Sequence, residues 1–69
     1  MQLMDFLQLE NTDMAKVEIW LYNPFAKSDL RIYKGDVYDA KEDRYVKICA
    51  EAEIEAWHIY RGYLILKCE

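Results

Sequence analysis

Residues 16 to 22, Lys-Val-Glu-Ile-Trp-Leu-Tyr, limit the folds open to this chain more than any other stretch. Val17, Ile19 and Leu21 alternate with Lys16, Glu18, Trp20 and Tyr22, the period of two that marks a strand. Trp20 and Tyr22 put apolar bulk on the second face as well. Asn23-Pro24 ends the strand, because proline has no N–H to give to a ladder. The segment Asn-Pro-Phe-Ala-Lys-Ser-Asp reads as a loop, and a second strand is expected over 29–38. There Leu30 and Ile32 share one face and Arg31 and Tyr33 the other. Val37 falls on the wrong parity for that core face, and a bulge at Gly35 would restore the register. The simplest topology pairs the two strands as a hairpin.

The chain has 69 residues, enough for one small domain spanning 1–69. A domain of this size buries only about 60% of the surface its unfolded chain exposes, so it leans on a staple, a metal or a partner subunit. Leu3, Phe6 and Leu7 follow the i, i+3, i+4 spacing of a short helix over 2–9, which must dock because it is too short to stand alone. Asn11, Thr12 and Asp13 break it. Residues 39–52 suit two states: Tyr45, Ile48, Cys49 and Ala52 form a helical stripe, while Val46, Ile48 and Ala50 alternate. A helical turn near 41–47 running into a strand is the favoured reading. Glu53 to Tyr60 and Tyr63 to Cys68 form a closing hairpin around Arg61-Gly62. The expected fold class is α+β: a short N-terminal helix plus about four antiparallel strands in a curved sheet or small open barrel.

Thirteen carboxylates against nine Lys and Arg leave a net charge of -4, and the cations are scattered singly. Such a chain gains nothing from counterion release, which argues against nucleic acid as a partner. The acidic residues gather at 1–15 and 39–55, a solvated surface or a face that meets a basic partner or mimics nucleic acid. Two cysteines, Cys49 and Cys68, are too few for a disulfide scaffold and suit reduced thiols. There is no basic leader with an apolar run and no membrane-length apolar stretch. A cytoplasmic protein with no membrane association is expected.

Little in the sequence points to catalysis. His58 is the only histidine and Ser28 the only serine. Asp36, Asp39, Glu42 and Asp43 could gather Mg²⁺ or Ca²⁺, but their spacing does not match an EF-hand loop. The two glycines are too far apart for a phosphate loop. The expectation is no enzyme, no cofactor and no metal; a metal-dependent nuclease using Asp36 and Asp39 is the weakest alternative.

Ten of the residues are aromatic. Trp20 and Tyr22 point away from Val17, Ile19 and Leu21, and Tyr33 away from Leu30 and Ile32. In the last hairpin Trp57 with Ile59, and Tyr63 with Ile65, oppose Ile54/Ala56 and Leu64/Leu66. One short helix covers one face of a sheet, so the other calls for a closed barrel, a subunit or a ligand. Trp and Tyr concentrate at binding hot spots because they bury much area at low entropy cost. Trp20, Tyr22, Tyr33, Trp57 and Tyr63 are therefore the candidate interaction surface.

The opening Met-Asp-Phe-Leu, the strand Lys-Val-Glu-Ile-Trp-Leu-Tyr, the segment Ile-Tyr-Lys-Gly-Asp-Val-Tyr-Asp-Ala and the closing pair Ala-Glu-Ile-Glu-Ala-Trp-His-Ile-Tyr and Gly-Tyr-Leu-Ile-Leu-Lys-Cys-Glu carry a resemblance. The layout resembles small proteins encoded by phages and integrated mobile elements of Gram-positive gut bacteria. The longer Asn-Pro-Phe-Ala-Lys-Ser-Asp loop and the extra aromatics depart from that pattern, and no functional residue is defined for the group. The resemblance implies an accessory protein of a mobile element. Together the readings point to a non-enzymatic protein–protein interaction module that oligomerises with itself or binds a host protein through an aromatic sheet face. The alternatives are a module that sequesters a small ligand and an inhibitor of a host defence such as a CRISPR nuclease.

Overall fold

The computed structural model describes residues 1–9 and 12–69; the carboxylate of Glu10 and the expected helix break at Asn11 lie outside them. Helix α1 (Leu3–Leu7) is followed by β1 (Lys16–Asn23), β2 (Ser28–Asp36), α2 (Val37–Ala40), α3 (Arg44–Ile48), β3 (Ile54–Tyr60) and β4 (Tyr63–Cys68). The strands form one sheet in the order β2-β1-β4-β3. β1 pairs antiparallel with β2, and β3 with β4, but β1 and β4 run parallel. The sheet is thus mixed, where antiparallel pairing alone was expected, and it stays open rather than closing into a barrel. The parallel step has a simple cause. The chain leaves β2 through α2 and α3, a connection long enough to start β3 at the far edge parallel to β2, and the closing hairpin then lays β4 between β3 and β1, parallel to β1.

Three short helices lie on one face of the sheet. Leu3 and Leu7 from α1, Val37 and Ala40 from α2, and Val46 from α3 are fully buried against Val17, Ile19, Leu66 and Cys68. The register explains why these sheet residues share a face: Val17 sits beside Leu64, Ile19 beside Leu66 and Leu21 beside Cys68. The isolated helices are below stable length, so tertiary contacts and caps hold them. Asp43 caps α3 by accepting from the Tyr45 and Val46 N–H groups at 2.9 and 3.1 Å, and Asp36 caps α2 by accepting from the Asp39 N–H at 2.9 Å. α1 is tied down by Leu3 N–H donating to the Ala52 carbonyl and Met4 N–H to that of Ala50, at 2.8 and 3.0 Å.

Several local expectations change. Segment 39–52 is helical and turn-like throughout, and the third strand begins only at Ile54. The carboxylates of Asp36 and Asp43 stop the strand reading by capping helices there. The second strand begins at Ser28 and ends at Asp36, so Val37 opens α2 and has no strand parity to satisfy. The bulge in β2 is not at Gly35: the register shifts where Ile19 pairs with Tyr33 and Trp20 with Arg31, leaving Ile32 as the extra residue. A second shift between Ile54 and Ala56 leaves Glu55 unpaired in β3. Each bulge turns the residues beyond it onto the other face.

Candidate functional site

The two bulges scatter the five aromatic residues. Trp20, Tyr22 and Tyr63 lie on the face away from the helices. Tyr33, opposite Ile19, turns to the helix side, and so does Trp57, opposite Leu66. They do not form one surface. The sequence parity misplaced Tyr33 and Trp57 because each stands just past an extra residue that periodicity does not reveal.

On the helix-free face the rings have partners. Trp20 Nε1 donates to Glu18 Oε1 at 3.2 Å, and Arg31 reaches the same carboxylate at 3.7 Å. The Lys34 ammonium stands 4.9 Å from the centre of the Tyr63 ring. Ile65, between Glu18 of β1 and His58 of β3, is buried on this face. A shallow hollow of about 340 Å³ remains there, lined in part by Glu18, Trp20, His58 and Lys67.

Tyr33 packs against the helix-side core, and its hydroxyl donates to the Asp36 carbonyl at 2.8 Å. Its ring crosses Gly35, where an added Cβ would lie 2.6 Å from Oη. That close approach requires the glycine. Burial, and then the charges of Asp36, Asp39 and Asp43, push the Tyr33 phenol above its ordinary pKa of 10.0.

The helix side is unevenly covered. The three helices sit over β1, β4 and the end of β2, and their cover fails at β3 and at the start of β2, where Leu30 is mostly exposed. On β3, Trp57, Ile59 and Tyr60 are 66%, 72% and 57% exposed. Trp57 and Ile59 share the helix-side face, while His58 and Tyr60 point the other way. Beside them is an apolar groove of about 400 Å³ between α1 and the last hairpin, lined by Met1, Phe6, Ile54, Trp57, Leu64 and Leu66. Of the aromatic candidates, Trp57 alone lines this groove. Ile59 and Phe6 belong to the same side and were absent from the sequence-based surface, while Tyr60 lines the hollow on the opposite face. The signal was the closing strand itself, apolar at both parities, but that reads equally as a buried central strand.

Among the described residues, the histidine stands apart from the two thiols and from Ser28. His58 faces the helix-free side, whereas Cys49 and Cys68 pack on the helix side, so the sheet separates the imidazole from both thiols. Ser28 begins β2, the edge farthest from His58. Burial raises the Cys49 thiol, and burial with the nearby Cys49 raises Cys68 to about 11, away from the thiolate. Among the described residues no three His, Cys, Asp or Glu side chains are grouped as metal ligands. No described helix is long and apolar enough to cross a membrane. No family model matches the chain, and no curated protein or solved structure matches it.

Proposed function

We propose that this chain is a non-enzymatic protein–protein interaction module and that its binding surface is the β3 side of the sheet. One observation carries the reading: β3 is an edge strand whose Trp57 and Ile59 stand in water on the side of an apolar groove, with Tyr60 exposed on the other face. An exposed aromatic edge of this kind is poorly hydrated and gains about 25 cal/mol per Å² on burial, before the entropy of association is subtracted. In the setting the resemblance implies, a phage or mobile element inside the cytoplasm, such a surface would hold a second subunit or a host protein.

The test is a pull-down and cross-linking comparison between the native chain and a Trp57→Asp/Ile59→Asp variant. Both residues are mostly exposed, and an unchanged circular dichroism spectrum is the check that the variant keeps its fold. A discrete protein partner, itself or another, captured by the native chain and lost by the variant is expected. Capture indifferent to both substitutions overturns the reading.

The groove favours a second reading, a sequestering site for a small apolar ligand, because its volume falls in the range of ligand pockets, about 300–1,000 Å³. It predicts that a flat apolar probe raises Tm in the native chain and not in Phe6→Asp. An equal response in both removes it.

A further inference from the structure

We propose that the free edge of β3 pairs antiparallel with β3 of a second copy of this chain, so that two four-stranded sheets become one and His58 lies at the two-fold axis. This rests on the reading of β3 as a protein-binding surface and names its occupant.

The backbone decides which groups are free. Glu53 and Glu69 exchange both of their backbone bonds, at 3.1 and 2.9 Å, which sets the phase of the β3–β4 ladder at its open end. Ile54 then turns its N–H outward, where the Met1 carbonyl accepts it at 2.9 Å, and Gln2 bridges to Glu53. The first residues of the chain thus cover the start of this edge. At the other end Arg61 and Gly62 both have positive φ, 50° and 82°, the signature of a type I′ two-residue turn. Its flanking pair, Tyr60 and Tyr63, faces inward and exchanges bonds, and by alternation so do His58 and Ile65. Trp57 and Ile59 therefore point their N–H and C=O groups away from the sheet.

The uncovered stretch runs from Ala56 to Tyr60, and its middle is His58. Antiparallel overlap of the whole stretch with itself sets Trp57 opposite Ile59 of the second copy, and Ile59 opposite its Trp57. Both pairs have free backbone groups to exchange. On the helix side the four side chains make one apolar cluster across the axis, beside both grooves. A register centred on Trp57 instead would set Glu55 against Ile59 and drive each turn into the other copy's Met1–Gln2 segment.

Charge selects the same arrangement. β3 is approached through Glu53 and Glu55 and is left through Arg61. Antiparallel pairing brings Arg61 to the second copy's Glu55 at both ends, whereas parallel pairing stacks glutamate on glutamate. Ala56 to Tyr60 contains no Lys, Arg, Asp, Glu or Pro, the residues that normally stop edges from pairing.

Sedimentation over a concentration series, His58→Cys oxidation and amide exchange test this together. Opposed residues at the axis form a non-hydrogen-bonded pair with Cα atoms about 4.5 Å apart, within disulfide reach. His58→Cys is expected to give an intermolecular 58–58 disulfide, located by peptide mass mapping, while Ser28→Cys on the opposite edge does not cross-link. The Trp57 and Ile59 amides of the native chain should slow their exchange as concentration rises, and Ile59→Lys should weaken the dimer about tenfold or more. A dimer that lacks the 58–58 bond and leaves those amides unprotected overturns the edge pairing and leaves the protein-binding reading intact. A monomer at every concentration overturns the pairing too; the earlier reading is then judged on its own capture experiment.

Discussion

β2 and β3 are both edges of the sheet, yet their exposed sides are built differently. β2 carries Asp29, Arg31 and Lys34 on its outer face, is bent by the bulge at Ile32, and is held by α2 and α3 in its second half, while Leu30 near its start is mostly exposed. β3 has one bulge near its start, a short cover from Met1 and Gln2, and then five residues with neither charge nor proline. The contrast shows where a chain of this size runs out of material. Its helices total few turns, and they shelter the side of the sheet next to α2 and α3. The β3 side is left with Trp57 and Ile59 in solvent because none of the described helices extends over them.

Unequal cover has consequences that can be measured, and the largest is in unfolding. Leu7→Ala, beneath the helices, should destabilise the chain by about 2–5 kcal/mol, while Ile59→Ala on the bare edge should change a dilute sample by about 0.5 kcal/mol or less. Denaturant titration of both variants at low concentration decides it, and equal losses would mean that β3 is as enclosed as the core.

The next effect is on the covered side and depends on pH. Cys68 is buried, and its thiol is raised from 9.0 to about 11, so the folded state keeps a proton that the unfolded chain has lost. Stability contributed by the neutral thiol is complete below 9.0 and falls as the pH rises toward 11. The expected difference from Cys68→Ala is on the order of 2 kcal/mol across that window. Parallel pH profiles for the two proteins would show that Cys68 is solvated.

Gly35 tests the guarded edge itself. Gly35→Ala should displace the Tyr33 ring, release its bond to the Asp36 carbonyl and reduce stability by about 1–2 kcal/mol. Gly35→Ala in a Tyr33→Leu background should cost less, because the clashing hydroxyl is gone; an unchanged cost would place the strain in the backbone.

The smallest effect separates stability from association. Arg61 holds φ at 50°, a conformation that Asn adopts more readily. Arg61→Asn should stabilise the monomer by about 0.5 kcal/mol and at the same time weaken self-association by removing the charge that meets Glu55. Association unchanged in that variant would remove Arg61 from the interface.

Much of the local structure was readable from the chain. The alternation in 16–22, the turn signal at Arg61-Gly62 and the helical spacing of Leu3 and Leu7 each correspond to an observed element. The candidate surface was less readable, since Tyr33 and Trp57 were assigned to faces by counting in twos. One unpaired residue, Ile32 in one strand and Glu55 in the other, reverses the count. Nothing in the side-chain pattern marks those bulges, because they arise from pairing with strands distant in sequence.

Periodicity and turn chemistry thus determined where strands begin and end and that too much apolar surface exists for one face, since both depend on neighbours a few residues away. The order β2-β1-β4-β3, the parallel contact in its middle and the choice of β3 as the bare edge were decided only in three dimensions. Those features depend on where the α2–α3 connection sets down the closing hairpin and on how far three short helices can reach, and neither is encoded in any single segment.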